Sequence, residues 1–138
     1  MDASGDGGRL VVGAVIRKNG CFLLLERAAD DFLPGLFEFP SGKVEPGETT
    51  DEALVREIRE ETSLALLHIE REVDTFEYLS KSGVKTIQRS FIVTTTLGVV
   101  VLSEHASFVW ASMETCRSLK LSAETLRICE RVAESTIS

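Results

Sequence analysis

Gly42-Lys43-Val44-Glu45-Pro46-Gly47-Glu48-Thr49-Thr50-Asp51-Glu52-Ala53-Leu54-Val55-Arg56-Glu57-Ile58-Arg59-Glu60-Glu61-Thr62-Ser63-Leu64 is the stretch from which the rest of the chain can be read. Thr49 and Glu52 have the Thr-x-x-Glu spacing of a capping box, which starts a helix after Thr49. The helix is predicted to run to about Thr62, with an apolar stripe of Leu54, Val55 and Ile58, and Ala65 beyond its end. Glu57, Glu60 and Glu61 are spaced i, i+3, i+4 and fall on one face, beside that stripe. Glu52, Arg56 and Arg59 are placed toward solvent.

Like charges at this spacing repel, by roughly 0.2–0.5 kcal/mol per pair on an exposed helix. Arg56 stands four residues before Glu60 and can relieve it, whereas Glu57 and Glu61 have no such cation on the helix. At the border of a core, three carboxylates need a compensating charge or raised pKa values. A hard divalent cation supplies that charge; Mg²⁺ takes oxygen ligands, keeps several waters and can accept substrate phosphate oxygens. From the three glutamates alone, a solvated acidic face is an equally open reading.

Working outward, Leu10–Arg17 and Cys21–Glu26 are apolar runs joined by the turn signal Lys18-Asn19-Gly20, and predict a β-hairpin. Both runs are nearly continuous in apolar residues, so their sheet is expected to be covered on both faces. Asp30–Pro46, with Pro34, Gly35, Pro40 and Gly42, reads as loop. After the helix, Ile69–Leu79 and Thr86–Thr96 read as strands joined across Lys81-Ser82-Gly83; Val99–Leu102 and Phe108–Ala111 read as short strands. Ala123–Ser135 reads as a helix with Leu126, Ile128 or Cys129, and Val132-Ala133 facing inward. Strands on either side of a central helix, with a helix at the end, predict an α/β sandwich. Residues 1–8 read as a disordered tail and 9–138 as one domain.

The formal net charge of -7 disfavours a nucleic-acid polymer as partner, because phosphate backbones repel an acidic surface. A small phosphorylated substrate stays compatible, since a metal can bridge it to carboxylates. The three cysteines, Cys21, Cys116 and Cys129, are odd in number and lack metal-ligand spacing, which argues against a disulfide framework. Cys21, in an apolar run, is expected to be a small core residue. Neither a signal peptide nor a membrane-length apolar run is present, so the cytoplasm is the expected location and no membrane partner is expected. His68 reads as a surface residue, and Phe37, Phe39, Phe76 and Phe91 read as core rather than as a base-stacking platform.

The decisive stretch can be written Gly42-x5-Glu48-x7-Arg56-Glu57-Ile58-x-Glu60-Glu61-x-Ser63-Leu64. It resembles the Nudix box, G-x5-E-x7-R-E-U-x-E-E-x-G-U with U aliphatic, at every fixed position but one: Ser63 replaces the last glycine. That glycine follows the helix, where a left-handed residue commonly ends it. A serine there is expected to cost roughly 1 kcal/mol of stability without touching the chemistry. Ser41 also stands where many members have glycine. The lead-in Leu36-Phe37-Glu38-Phe39-Pro40, and Arg27-Ala28-Ala29-Asp30 before it, look like the MutT-like branch that hydrolyses nucleoside triphosphates, including 8-oxo-dGTP.

The resemblance implies an α/β/α sandwich with a mixed β-sheet, and a hydrolase of phosphoanhydride bonds that uses Mg²⁺, with Mn²⁺ as a substitute. By motif position it implies Glu57, Glu60, Glu61 and the Gly42 carbonyl as metal ligands, with Glu57 also suited to general base. Arg56 is expected to orient a box glutamate, and Glu48 to be structural or to support the residues that hold the metal. Glu104, six residues before Trp110, is the candidate for a further acidic residue on a downstream loop, with His105 beside it. Arg27 and Lys43 are candidate phosphate contacts. The implied substrate is a small nucleotide: a nucleoside triphosphate giving monophosphate and pyrophosphate, or else ADP-ribose or another nucleoside diphosphate derivative. A non-catalytic nucleotide sensor is the reading from another class. Monomer and homodimer are both open.

Overall fold

Arg9–Lys18 (β1) and Cys21–Glu26 (β2) form the expected hairpin in a computed structural model that describes residues 8–135. Asn19 and Gly20 turn the chain with φ of 53° and 78°, the doubly left-handed geometry that matches the twist of paired strands. Of the tail reading for residues 1–8, residues 1–7 lie outside the described residues, and Gly8 is buried. The remaining elements are Phe37–Glu38 (β3), Ser41–Lys43 (β4), Thr50–Thr62 (α1), Leu66–Leu79 (β5), Lys85–Thr95 (β6), Ser107–Ala111 (β7), Met113–Ser118 (α2) and Ala123–Ser135 (α3).

The sheet runs β3-β2-β1-β6-β5, with β4 added on β1 and β7 on β2. It is mixed: β1 and β6 are parallel from Arg9↔Thr86 to Ile16↔Val93, and the other pairs are antiparallel. Side chains alternate along β1, which explains its continuous apolar run. Val12, Ala14 and Ile16 pack with Ala53, Leu54 and Ile58 of α1 on one face. Val15 packs with Cys116, Ile128, Cys129 and Val132 of α2 and α3 on the other. Helices therefore cover both faces, as an α/β/α sandwich requires.

Several expectations need correction. Asp30–Pro46 is not all loop, because β3 and β4 sit within it, and strands of two and three residues carry no periodicity to read. Val99–Leu102 is not a strand; the Val101 N–H instead closes onto the Thr62 carbonyl at the end of α1 (3.0 Å). The helix α2 was not expected; Ser112 caps it by accepting the Thr115 N–H. Val55 is 47% exposed, and the buried stripe of α1 is Ala53, Leu54, Ile58 and Thr62. The helix is rolled toward β4, which brings Glu57 inward and turns Val55 out. Cys21 is half-buried rather than core. Phe39 and Phe91 are core as expected, whereas Phe37 and Phe76 lie half-buried against the edge of the second core.

Candidate active site

The glutamate face depends first on how α1 is closed at both ends. Thr49 Oγ1 accepts the Glu52 N–H (3.1 Å) and Glu52 accepts the Thr49 N–H (2.9 Å), completing the capping box. At the other end Ser63 takes φ 67°, ψ 7°, the left-handed conformation anticipated for the position where the box has glycine. Its hydroxyl donates to the Val101 carbonyl (3.1 Å), a contact a glycine could not make.

Gly42 in β4 lies directly against Glu57: a Cβ built at Gly42 would overlap the Glu57 carboxyl group. Its φ is not left-handed, so glycine is required here by close approach and not by backbone conformation. The neighbouring Ser41 N–H donates to Glu61 Oε1 (3.0 Å). One three-residue strand thus seats two of the three box glutamates.

Arg56 was expected to face solvent, and the structure corrects this: its side chain is 27% exposed and sits at the hub of a polar network. Its guanidinium donates twice to Glu48 (2.7 and 2.9 Å), to Glu57 Oε2 (2.6 Å), to Glu60 Oε1 (3.2 Å) and to the Lys43 carbonyl (2.9 Å). The 43–48 segment folds back over α1 and supplies these acceptors, which helix geometry alone does not reveal. Glu57 consequently does have a cation, from the adjacent residue rather than one turn away. The arginine holds the Glu48 carboxyl down to about 2, chiefly by direct hydrogen bonding.

One guanidinium faces three carboxylates, so the site keeps an excess of negative charge. Burial pushes Glu57 above the ordinary carboxylate range despite Arg56. Burial likewise pushes Glu61 up to about 8, against the opposing pull of His105 and the Ser41 N–H. Glu60 is the most open of the three, its side chain 57% exposed. Among the described residues, no three Asp, Glu, His or Cys side chains converge into a ready cage for a metal ion. The group whose chemistry suits a divalent cation is Glu57, Glu60 and Glu61 with the Gly42 carbonyl, and Arg56 engages two of these glutamates.

A second network escaped the sequence reading. His105 Nε2 meets Glu38 Oε2 at 2.9 Å, and Arg27 Nε and Nη2 both reach Glu38 Oε1 at 2.9 Å. Burial pulls His105 down, but the bond to Glu38 and the charge of Glu61 outweigh it and leave its pKa raised. Glu38 carried one legible signal, a charge between Phe37 and Phe39 in an otherwise apolar lead-in. Arg27 is thus tied to Glu38, and Lys43 is exposed. Glu104 is exposed, next to the largely buried imidazole of His105, and forms no ion pair among the described residues. His68 is exposed, as expected.

A mixed sheet between helices, with acidic residues gathered at the end of β4 and along α1, defines an α/β sandwich of the Nudix kind. The NUDIX domain matches residues 8–124, and the chain belongs to this family, whose hydrolases generally use a divalent metal ion. It is 34% identical over 125 residues to a CTP pyrophosphohydrolase of Escherichia coli K12, covering 87% of each chain. It is 34% identical over 128 residues to the nucleoside triphosphatase NudI of Klebsiella pneumoniae, covering 85% of this chain and 91% of that one. The crystal structure of a MutT protein from Methanosarcina mazei superposes with a TM-score of 0.81 at 28% identity, covering 94% of this chain and 96% of the other.

Proposed function

We propose that this chain is a Mg²⁺-dependent hydrolase of a nucleoside triphosphate, plain or oxidised, releasing the monophosphate and pyrophosphate. The observation that carries the reading is the glutamate face of α1. Glu57 is seated on Gly42, Glu61 is half-buried with its carboxyl pushed up to about 8, and a single arginine is shared among the Glu48, Glu57 and Glu60 carboxylates. Such under-neutralised carboxylates fit a hard cation. The CTP pyrophosphohydrolase and nucleoside triphosphatase names of the relatives support the same substrate class.

Glu57, Glu60, Glu61 and the Gly42 carbonyl would hold the metal. When bound, it supplies a nucleophilic water at neutral pH and neutralises charge on the transferred phosphoryl group. The protein's own residues set the geometry. Arg56 fixes Glu57, which is also suited to take a proton from the attacking water. The Ser41 N–H fixes the direction of the Glu61 carboxyl. Lys43, exposed within the box, is a candidate contact for substrate phosphates, as is Arg27 once released from Glu38, and Glu104 is a candidate further acid on the loop before β7. The substrate is a small nucleotide, and the cytoplasm, where thiols stay reduced, suits the three free cysteines.

The test is a hydrolysis screen with Mg²⁺ at mildly alkaline pH, using nucleoside triphosphates, their oxidised forms, ADP-ribose and dinucleoside polyphosphates. The expected result is one preferred triphosphate yielding monophosphate and pyrophosphate, with turnover abolished in Glu57→Gln and Glu60→Gln. Turnover unaffected by both substitutions would overturn the site assignment; cleavage confined to ADP-ribose would overturn the substrate class.

A further inference from the structure

The two helices on the face of the sheet opposite α1 meet through a pair of thiols. Cys116 of α2 and Cys129 of α3 are both completely buried, and their sulfurs stand 3.9 Å apart. A buried free cysteine is ordinarily a small apolar filler. Here two of the chain's three cysteines, thirteen positions apart, point at one another from different elements. A disulfide has an S–S length of about 2.0 Å, so closure needs an approach of roughly 2 Å, shared between the two side chains and a short helix. α2 has only six residues, and the link Leu119–Ser122 to α3 gives it room to adjust.

We propose that Cys116 and Cys129 are a site of intramolecular disulfide formation, closed by a hydroperoxide and reopened by a thiol reductant. Cys116 is the nucleophile because it sits on the six-residue α2, the shorter of the two elements and the one that can lift its thiol off the core to meet the peroxide. The Cys116 thiolate attacks the terminal peroxide oxygen; the O–O bond breaks, and the alkoxide or hydroxide leaving group takes up a proton. Cys116 becomes a sulfenic acid, the peroxide having taken two electrons. The Cys129 sulfur then attacks the Cys116 sulfur, the S–O bond breaks, and water leaves with the Cys129 proton. In sum, two thiols and one hydroperoxide give one disulfide, one alcohol (or water) and one water.

The bond would brace a strap that reaches the candidate site. Between the two cysteines, Lys120 accepts the Phe37 N–H on its carbonyl (2.9 Å) and donates its ammonium to the Pro34 carbonyl (3.1 Å). Phe37 pairs in β3 beside Glu38, so the segment between α2 and α3 holds this short strand in place.

The experiment treats the full chain with hydrogen peroxide, then measures intact mass, a peptide map without reduction, and thermal unfolding. The expected result is a mass lower by two hydrogens, a single cross-linked peptide joining Cys116 to Cys129, and a midpoint higher by about 5 °C that returns on reduction. Cys21→Ser should behave like the wild type, and Cys116→Ser and Cys129→Ser should form no internal link. Oxygen added at either cysteine without a link, a link through Cys21, or unchanged thiols while a small-molecule thiol in the same tube is oxidised would each overturn the proposal. Should the serine variants fail to fold, the wild-type peptide map decides alone.

Discussion

Gly42→Ala separates close approach from backbone conformation as the reason for the glycine that opens the box. Gly42 has no left-handed φ, so alanine can adopt its backbone without strain. The new methyl group, however, occupies space now filled by the Glu57 carboxyl. To restore an ordinary van der Waals separation, Glu57 must retreat by more than ~1 Å, and displacement on that scale costs an enzyme on the order of 100-fold. The expected loss in kcat/KM is therefore about 100-fold, or roughly 2.7 kcal/mol of transition-state stabilisation. Stability should barely move. Weakening the contact between Arg56 and Glu57 costs about 1 kcal/mol, and alanine recovers about 0.4–1 kcal/mol by restricting the unfolded chain. The assays are steady-state pyrophosphate release and a thermal melt on the same preparation. A variant with near-native kcat/KM would refute the seating of Glu57 on Gly42. A collapsed melting temperature would refute the claim that the backbone tolerates alanine.

Four further outcomes follow from particular contacts. Glu48→Gln removes the charge partner of both Arg56 nitrogens that bind Glu48; the freed guanidinium should loosen Glu57 and lower kcat by about 10-fold, the lower end of the range for a group that orients a metal ligand, and unchanged kinetics would confine Glu48 to stability. Ser63→Gly removes left-handed strain of about 1 kcal/mol along with the bond to the Val101 carbonyl; a melting temperature unchanged or slightly raised is expected, and a clear fall would show the hydroxyl contact to dominate. Mg²⁺ without substrate should raise the melting temperature of the wild type, by mass action on the folded state, and not that of Glu57→Gln; an equal rise in both would remove Glu57 from the metal site. Glu72 is held below its ordinary range first by its hydrogen bonds with Arg89. A depressed carboxylate stabilises the fold above its unfolded pKa and loses that contribution as pH falls through the folded value. Glu72→Gln should therefore cost up to about 1 kcal/mol at pH 7, the limit for a partly exposed pair, and nothing at pH 2 in urea unfolding; an equal cost at both would refute the ion-pair origin.

What the chain's order of residues determined by itself was local. The capping pair Thr49 and Glu52, the spacing of Glu57, Glu60 and Glu61, the hairpin turn at Asn19-Gly20 and the left-handed Ser63 all follow from contacts within a few residues, where backbone sterics and the 3.6-residue period decide the outcome. The apolar continuity of β1 and β2 likewise announced a sheet covered on both faces. Only tertiary structure decided which way α1 rolls, and so why Val55 is exposed while Glu57 is half-buried against Gly42. It also decided that Arg56 points into a carboxylate network, because Glu48 is delivered eight residues away by a loop that folds back. It joined Glu38 to His105 across 67 positions, and β3 and β4 formed because longer strands offered them an edge. The physical reason is the same in each case: burial and charge pairing between distant segments depend on packing, and the pattern of a single segment carries no record of its partner.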